Sequence, residues 1–131
     1  VKRTGVLNSD LSYLIATLGH TDLIAVADAG LPIPVGVRRV DLALVRGVPG
    51  FIQTLEAVLD EVVVERAVIA SEMARRNPAV YRAVKRLLGR TPVEEITHRA
   101  LKARLRGARA VVRTGECTPF ANILLQCGVA F

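Results

Sequence analysis

The chain has 131 residues, about half of them hydrophobic, with 18 basic and 12 acidic side chains for a formal charge of +6. That length suits one domain able to bury about two-thirds of its unfolded surface, so residues 1–131 are expected to form a single domain. Charged residues break every apolar run short of the roughly 20 residues that a membrane span needs, and Val1–Asn8 lacks the apolar segment of a secretory signal; the expectation is a cytoplasmic protein with no membrane partner.

Asn8, Ser9 and Asp10 offer N-caps for a helix over about 11–18, in which Leu11, Leu14, Ile15 and Leu18 keep helical spacing and Gly19 is the stop. The apolar run 23–27 reads as a strand, and Gly30, Pro32, Pro34 and Gly36 make residues 29–37 a loop. A short strand follows at 40–44. After the breakers Gly47, Pro49 and Gly50, the residues Phe51, Leu55, Val58 and Leu59 mark an amphipathic helix to about 61, with a strand over about 66–70 behind it. Pro78 opens a helix that Gly89 ends. A strand at 93–97, a helix at 99–106 capped by Thr97 or His98, a strand at 108–113 and a last strand at 122–127 complete the chain. This alternation predicts an α/β fold of three layers, α/β/α, around a largely parallel or mixed central sheet.

Eleven of the 18 basic residues cluster in two stretches, one from Arg75 to Arg90 and one from Arg99 to Arg109. Single-strand binders interleave such charges with aromatic stacking platforms, whereas this chain has three Phe, two Tyr and no Trp. Solvated helix faces are the simpler reading, Arg82 and Arg86 being an i, i+4 pair, and no nucleic-acid partner is expected. Cys117 and Cys127 lack metal-ligand spacing and are expected as reduced thiols.

The chemistry-bearing residues lie at strand ends. In open α/β sheets ligands sit beyond the carboxyl ends of the strands. Asp28 follows the strand 23–27, His98 follows 93–97, and the loop from Gly115 to Asn122 follows 108–113, so parallel strands bring all three to one edge. His20, the other of two histidines, precedes its strand and belongs to the opposite edge. With residues 21–27 extended, His20 and Asp28 stand on the order of 20 Å apart, and one small ligand meets both only if a second copy of the chain supplies one of them. Each residue also has a plain structural reading: Asp28 as an acceptor for loop amides near Gly30, Asn122 as a turn residue, His98 as a helix cap. A metal site from His20, His98 and Asp28 lacks the local pairs usual for catalytic zinc. No P-loop, G-x-G-x-x-G or G-x-S-x-G pattern occurs.

Lys2–Asn8, Gly19-His20-Thr21-Asp22, Ala27–Pro34 and Val112–Asn122 together resemble the D-ribose pyranase and fucose mutarotase family along nearly the whole chain. The Gly19-His20-Thr21-Asp22 motif and the continuation Ala29-Gly30-Leu31-Pro32 resemble the ribose branch more than the fucose branch. The resemblance implies a cofactor-free, metal-free isomerase that interconverts the pyranose and furanose forms of β-D-ribose. It further implies ring-shaped homo-oligomers, commonly decamers of two pentamers, with sites between subunits. It makes His20 the proton donor and gives Asp28, His98, Phe120 and Asn122 to the sugar, with Lys102 as a further hydroxyl contact. Position 120, commonly Tyr in the ribose branch, is Phe120 here, which removes a phenolic hydrogen bond.

Ring exchange needs a proton placed on the ring oxygen and another removed from the anomeric hydroxyl, which general acid–base groups supply. A gain of about 10³, or roughly 4 kcal/mol, lies within their range, and the reference pKa of histidine, about 6.5, suits the donor role. Two rivals stand beside this reading: a mutarotase for fucose or another sugar, and a nonenzymatic binder of sugars or polyanions.

Overall fold

The computed structural model describes residues 1–131. Asn8 caps the first helix, α1 (Ser9–Thr17), its side-chain oxygen accepting the Leu11 amide at 2.9 Å. Then come β1 (Leu23–Ala27), β2 (Arg38–Asp41), α2 (Phe51–Leu59) and β3 (Val64–Ala70). After β3 a single helical turn, α3 (Met73–Arg76), leads into α4 (Pro78–Leu88), and β4 (Val93–Ile96) leads into α5 (His98–Arg104) with a 3₁₀ turn at Leu105–Gly107. The chain closes with β5 (Ala110–Arg113) and β6 (Ile123–Cys127).

The six strands form one sheet in the order β2-β5-β1-β6-β3-β4. β1 and β2 each run parallel to β5, β3 runs parallel to β4, and β6 lies antiparallel to both β1 and β3. All strands but β6 therefore point the same way, and their carboxyl ends share one edge with the amino end of β6. Parallel strands need crossovers, which the alternating helices supply.

Two apolar clusters flank the sheet, as three layers require. The larger one packs Leu11 and Leu14 of α1, Phe51, Leu55 and Val58 of α2, and Val84 and Leu88 of α4 against Ile24, Val26, Ile69, Ile123 and Leu125. These helix positions recur at i, i+3, i+4 and i+7, the stripe that lets a helix bury one face. Each fully buried Leu, Val or Phe contributes about 1.5–3 kcal/mol. The smaller cluster packs Leu101 and Leu105 with Leu31 on Ala25, Val111 and Leu124.

The differences from the sequence reading are local. β2 ends at Asp41, because Ala43 N–H donates to Asp41 Oδ1 at 3.1 Å and turns the chain away from the ladder. β3 starts two residues before the expected 66, and β5 starts two after the expected 108. α3 is additional: one turn between a strand and a proline carries too few residues to show a period. Thr97 is the cap of α5, accepting the Ala100 amide at 3.1 Å, and His98 is the first helical residue.

Cys127, 2% exposed at the end of β6, sits near Asp22 and Glu65; burial first, then these two negative charges, push its thiol up to about 11. Cys117 is exposed. Because the thiolate is the reactive form, iodoacetamide at pH 8 should label Cys117 rapidly and Cys127 only on unfolding, as mass spectrometry would read. Stability from the neutral Cys127 thiol is fully present below the unfolded value near 8.5 and declines as pH climbs from there through about 11. Equal labelling of both thiols in the folded protein contradicts this placement.

Candidate active site

At the shared edge, Asp28 and Asn122 hold each other. The Asp28 amide donates to Asn122 Oδ1 and the Asn122 Nδ2 donates to Asp28 Oδ2, both at 2.9 Å. Asp28 Oδ1 accepts the Gly30 amide at 2.9 Å. Asn122 is fully buried, so its rotamer is set by packing and its two bonds set that of Asp28. An ionised carboxylate offers about four acceptor directions, which leaves Asp28 able to accept hydroxyl groups from a ligand. The loop-amide reading of Asp28 and its placement at the edge thus hold together.

Beside this pair, the His98 ring meets the Phe120 ring edge-on at 5.1 Å and 83°, and the Arg76 guanidinium lies 5.9 Å from the Phe120 centroid. Phe120 has φ 59°, in the left-handed region that bulky residues rarely enter. Its carbonyl accepts the Asn122 amide at 2.9 Å, so one tight turn links the two pairs. Glu72 reaches across from the end of β3 and accepts the His98 amide at 3.0 and 3.2 Å. Burial works against the Glu72 charge, but amide bonds from His98 and its own backbone, with the Ser71 hydroxyl, prevail and hold its carboxyl below the ordinary value. His98 Nδ1 is the one buried side-chain nitrogen or oxygen without a hydrogen-bond partner. Such a group costs about 1–3 kcal/mol, so its retention argues for a task other than stability.

A cleft of about 510 Å³ opens beside Asp28, Gly30, Arg46, Glu116 and Cys117. Gly115, the residue before Glu116, packs tightly on the 45–48 segment: an added Cβ would stand 2.5 Å from the Val48 carbonyl oxygen and 2.6 Å from that of Val45. Glu116 Oε1 accepts the Phe51 amide at 3.0 Å, tying the same loop to the start of α2. Another cleft, of about 540 Å³, lies among Pro34–Val37, Arg106 and Ala108, but it contains a single charged side chain and no side-chain acceptor. Lys102 lines a third, with Pro32, Ile33 and Arg106, away from Asp28.

His20 is at the other edge. Its side chain is 53% exposed, and Nε2 lies 3.1 Å from Glu65 Oε2. Hydrogen bonds from Gln126 first and His20 second hold the Glu65 carboxyl below its ordinary value. β1 starts at Leu23, and Thr21 has φ 70°, so residues 21 and 22 turn instead of extending as expected. The five-residue strand still sets about 15 Å of stiff backbone between the edges.

Within one protomer the structure therefore brings together Asp28 with Asn122 and His98 with Phe120, and keeps His20 apart from all four. Glu72 and Glu65 were missed by the sequence reading. The strand-end rule, applied to β3 as it was to β1, β4 and β5, would have placed Glu72 at the site edge; Glu65, at the amino end of β3, had no sequence signal pairing it with His20. Arg76 and its contact with Phe120 had no sequence signal.

Residues 1–130 match the model of the RbsD / FucU transport protein family. The chain belongs to that family. It is 50% identical over 131 residues, with both chains covered in full, to a D-ribose pyranase of Coprothermobacter proteolyticus, and 52% identical over the same span to one of Chloroflexus aggregans. Bacillus subtilis RbsD complexed with D-ribose superposes with a TM-score of 0.96 at 42% identity over 100% of both chains. The fucose mutarotase of Streptococcus pneumoniae in complex with L-fucose shares the fold, at TM-score 0.82, 20% identity and 95% of each chain. Within the family fold, the buried Asn122 bears on stability directly. Asn122→Ala strips partners from the Asp28 amide and carboxylate and should destabilise the protein by about 2 kcal/mol in urea unfolding; a loss under about 0.5 kcal/mol would show the pair to be incidental.

Proposed function

We propose that this chain is a D-ribose pyranase, an isomerase that exchanges the pyranose and furanose forms of β-D-ribose by general acid–base catalysis. The observation that carries the reading is the full-length likeness to RbsD complexed with D-ribose, at an identity well above that at which fold alone is shared. The full-length relatives named D-ribose pyranase support it.

In this reading His20 is the proton donor and Asp28, Asn122, His98 and Phe120 hold the sugar. Protonated His20 gives its proton to the ring oxygen while the anomeric hydroxyl loses one to water, so the C1–O bond breaks and the aldehyde forms. On reclosure a different hydroxyl attacks the carbonyl carbon and gives its proton to His20, and the carbonyl oxygen takes one from water. Protons balance over the cycle, and neither step calls for a cofactor or metal. Phe120 offers the sugar an apolar wall.

His20 and Asp28 at opposite edges support a site completed by a neighbouring copy, in a homo-oligomer of the decamer type built from two pentameric rings. Exposed apolar side chains, among them Tyr13, Leu44, Val45 and Val48, provide surface for self-association. No helix is long and apolar enough to cross a membrane. The pyranase reading carries with it a cytoplasmic place of action, and residues 1–131 serve as a single sugar ring-isomerase domain that a second copy complements at each site.

Exchange spectroscopy on ribose should show acceleration by the wild type and loss of at least about 10²-fold in His20→Ala; an unchanged rate in the variant removes His20 from the reaction. Mixing inactive His20→Ala with inactive Asp28→Ala protomers should restore part of the turnover, since mixed interfaces regain intact sites. No recovery after verified subunit exchange refutes shared sites. Phe120→Tyr should lower KM for ribose by several-fold through one added hydroxyl bond, with fucose as the control sugar.

A further inference from the structure

We propose that Glu65 is a positioning residue for His20, forming with Gln126 a chain Gln126–Glu65–His20 that fixes the imidazole so that Nδ1 is the nitrogen offered to the reaction. The proposal rests on the reading of His20 as proton donor.

The contacts are directional. Glu65 Oε2 lies 3.1 Å from His20 Nε2, and Glu65 Oε1 accepts the Gln126 side-chain amide at 2.7 Å, so both carboxylate oxygens are committed and the group cannot rotate freely. A carboxylate only accepts. It therefore selects the tautomer with hydrogen on Nε2, leaving Nδ1 as the lone-pair nitrogen of the neutral ring and the proton carrier of the charged one.

Two features of the backbone converge on this contact. The β3–β6 ladder pairs Val64 with Cys127 and Arg66 with Gln126, so Glu65 is the extra residue of a β-bulge. Bulges re-aim side chains, and here the re-aimed one is the carboxylate. Next to His20, Thr21 takes φ 70°, an outlying conformation for a β-branched residue, held by its amide bond to the Cys127 carbonyl at 2.8 Å. A casual surface ion pair requires neither.

The other titratable groups facing the contact are accounted for. Asp22 accepts the Gly19 amide at 2.8 Å and pairs with Arg109 at 3.9 Å, and the Cys127 thiol stays neutral. Glu65 is the anion aimed at the ring. During catalysis the Nδ1 proton passes to the ring oxygen, the Nε2 proton stays on His20, and Glu65 takes none, so its charge stabilises the donor form throughout.

Glu65→Gln separates positioning from structure. With folding verified by circular dichroism, kcat for ribose exchange should fall about tenfold or more while KM stays within about twofold, because the sugar-binding residues are on the other edge. Nitrogen-15 spectra should show His20 as the Nε2–H tautomer in the wild type and as a mixture in Glu65→Gln, and Glu65→Asp should recover part of kcat. If Glu65→Gln does not fold, Gln126→Leu, which frees Oε1, should show the same changes at smaller amplitude. Wild-type kcat in the folded variant, or an Nδ1–H tautomer in the wild type, overturns the proposal. A wild type without ribose exchange instead overturns the functional reading, and with it any catalytic role for Glu65, whatever the tautomer.

Discussion

β1 and β6 lie side by side in the middle of the sheet, antiparallel, with Leu23 opposite Gln126 and Val26 opposite Ile123. The Asp28–Asn122 pair and His20 are attached to the ends of this two-stranded unit. Asp28 follows one end of β1 and Asn122 precedes the adjacent end of β6; His20 precedes the other end of β1, and Gln126 and Cys127 close β6 beside it. Because both strands are hydrogen-bonded on both sides and buried on both faces, neither can bend to bring the two ends together. The separation of His20 from Asp28 and Asn122 is thus a property of the core.

Each end is then sharpened by polar groups whose bonds are reciprocal or doubly held. Asp28 and Asn122 exchange two bonds, Glu65 is held by Gln126 and His20, and Glu72 accepts the first amide of α5. Left unpaired, such groups would destabilise a chain of this size. His98 Nδ1 is the exception, and it lies against Phe120 in the same turn that delivers Asn122. Irregular backbone occurs where side chains must be aimed: Thr21 and Phe120, the two non-glycine residues with positive φ, stand next to His20 and two residues before Asn122.

Most of the fold was readable in the chain. Strand 23–27 and the helix from Pro78 to Gly89 have the expected boundaries because each combines a full apolar pattern with a local stop signal. Strand ends such as 41 and 64 were not, since a side-chain bond at Asp41 and a bulge at Glu65 decide them. In the site, Asp28, His98 and Asn122 were legible from their place after or before strands, and His20 from its place before one. Glu72 lies 26 residues from His98 in the chain and Glu65 lies 45 from His20. Arg76 is likewise remote from Phe120, and only the folded backbone brings each of these partners into contact.

The order of apolar and breaking residues by itself determined an alternating α/β chain, parallel strands joined by helices, and hence which polar residues share an edge. Handedness of the crossovers and strand period suffice for that. Only the tertiary structure decided that β6 inserts antiparallel between β1 and β3, that Asn122 locks Asp28, and that a bulge turns Glu65 toward His20. These depend on register between segments far apart in sequence, which no local pattern encodes.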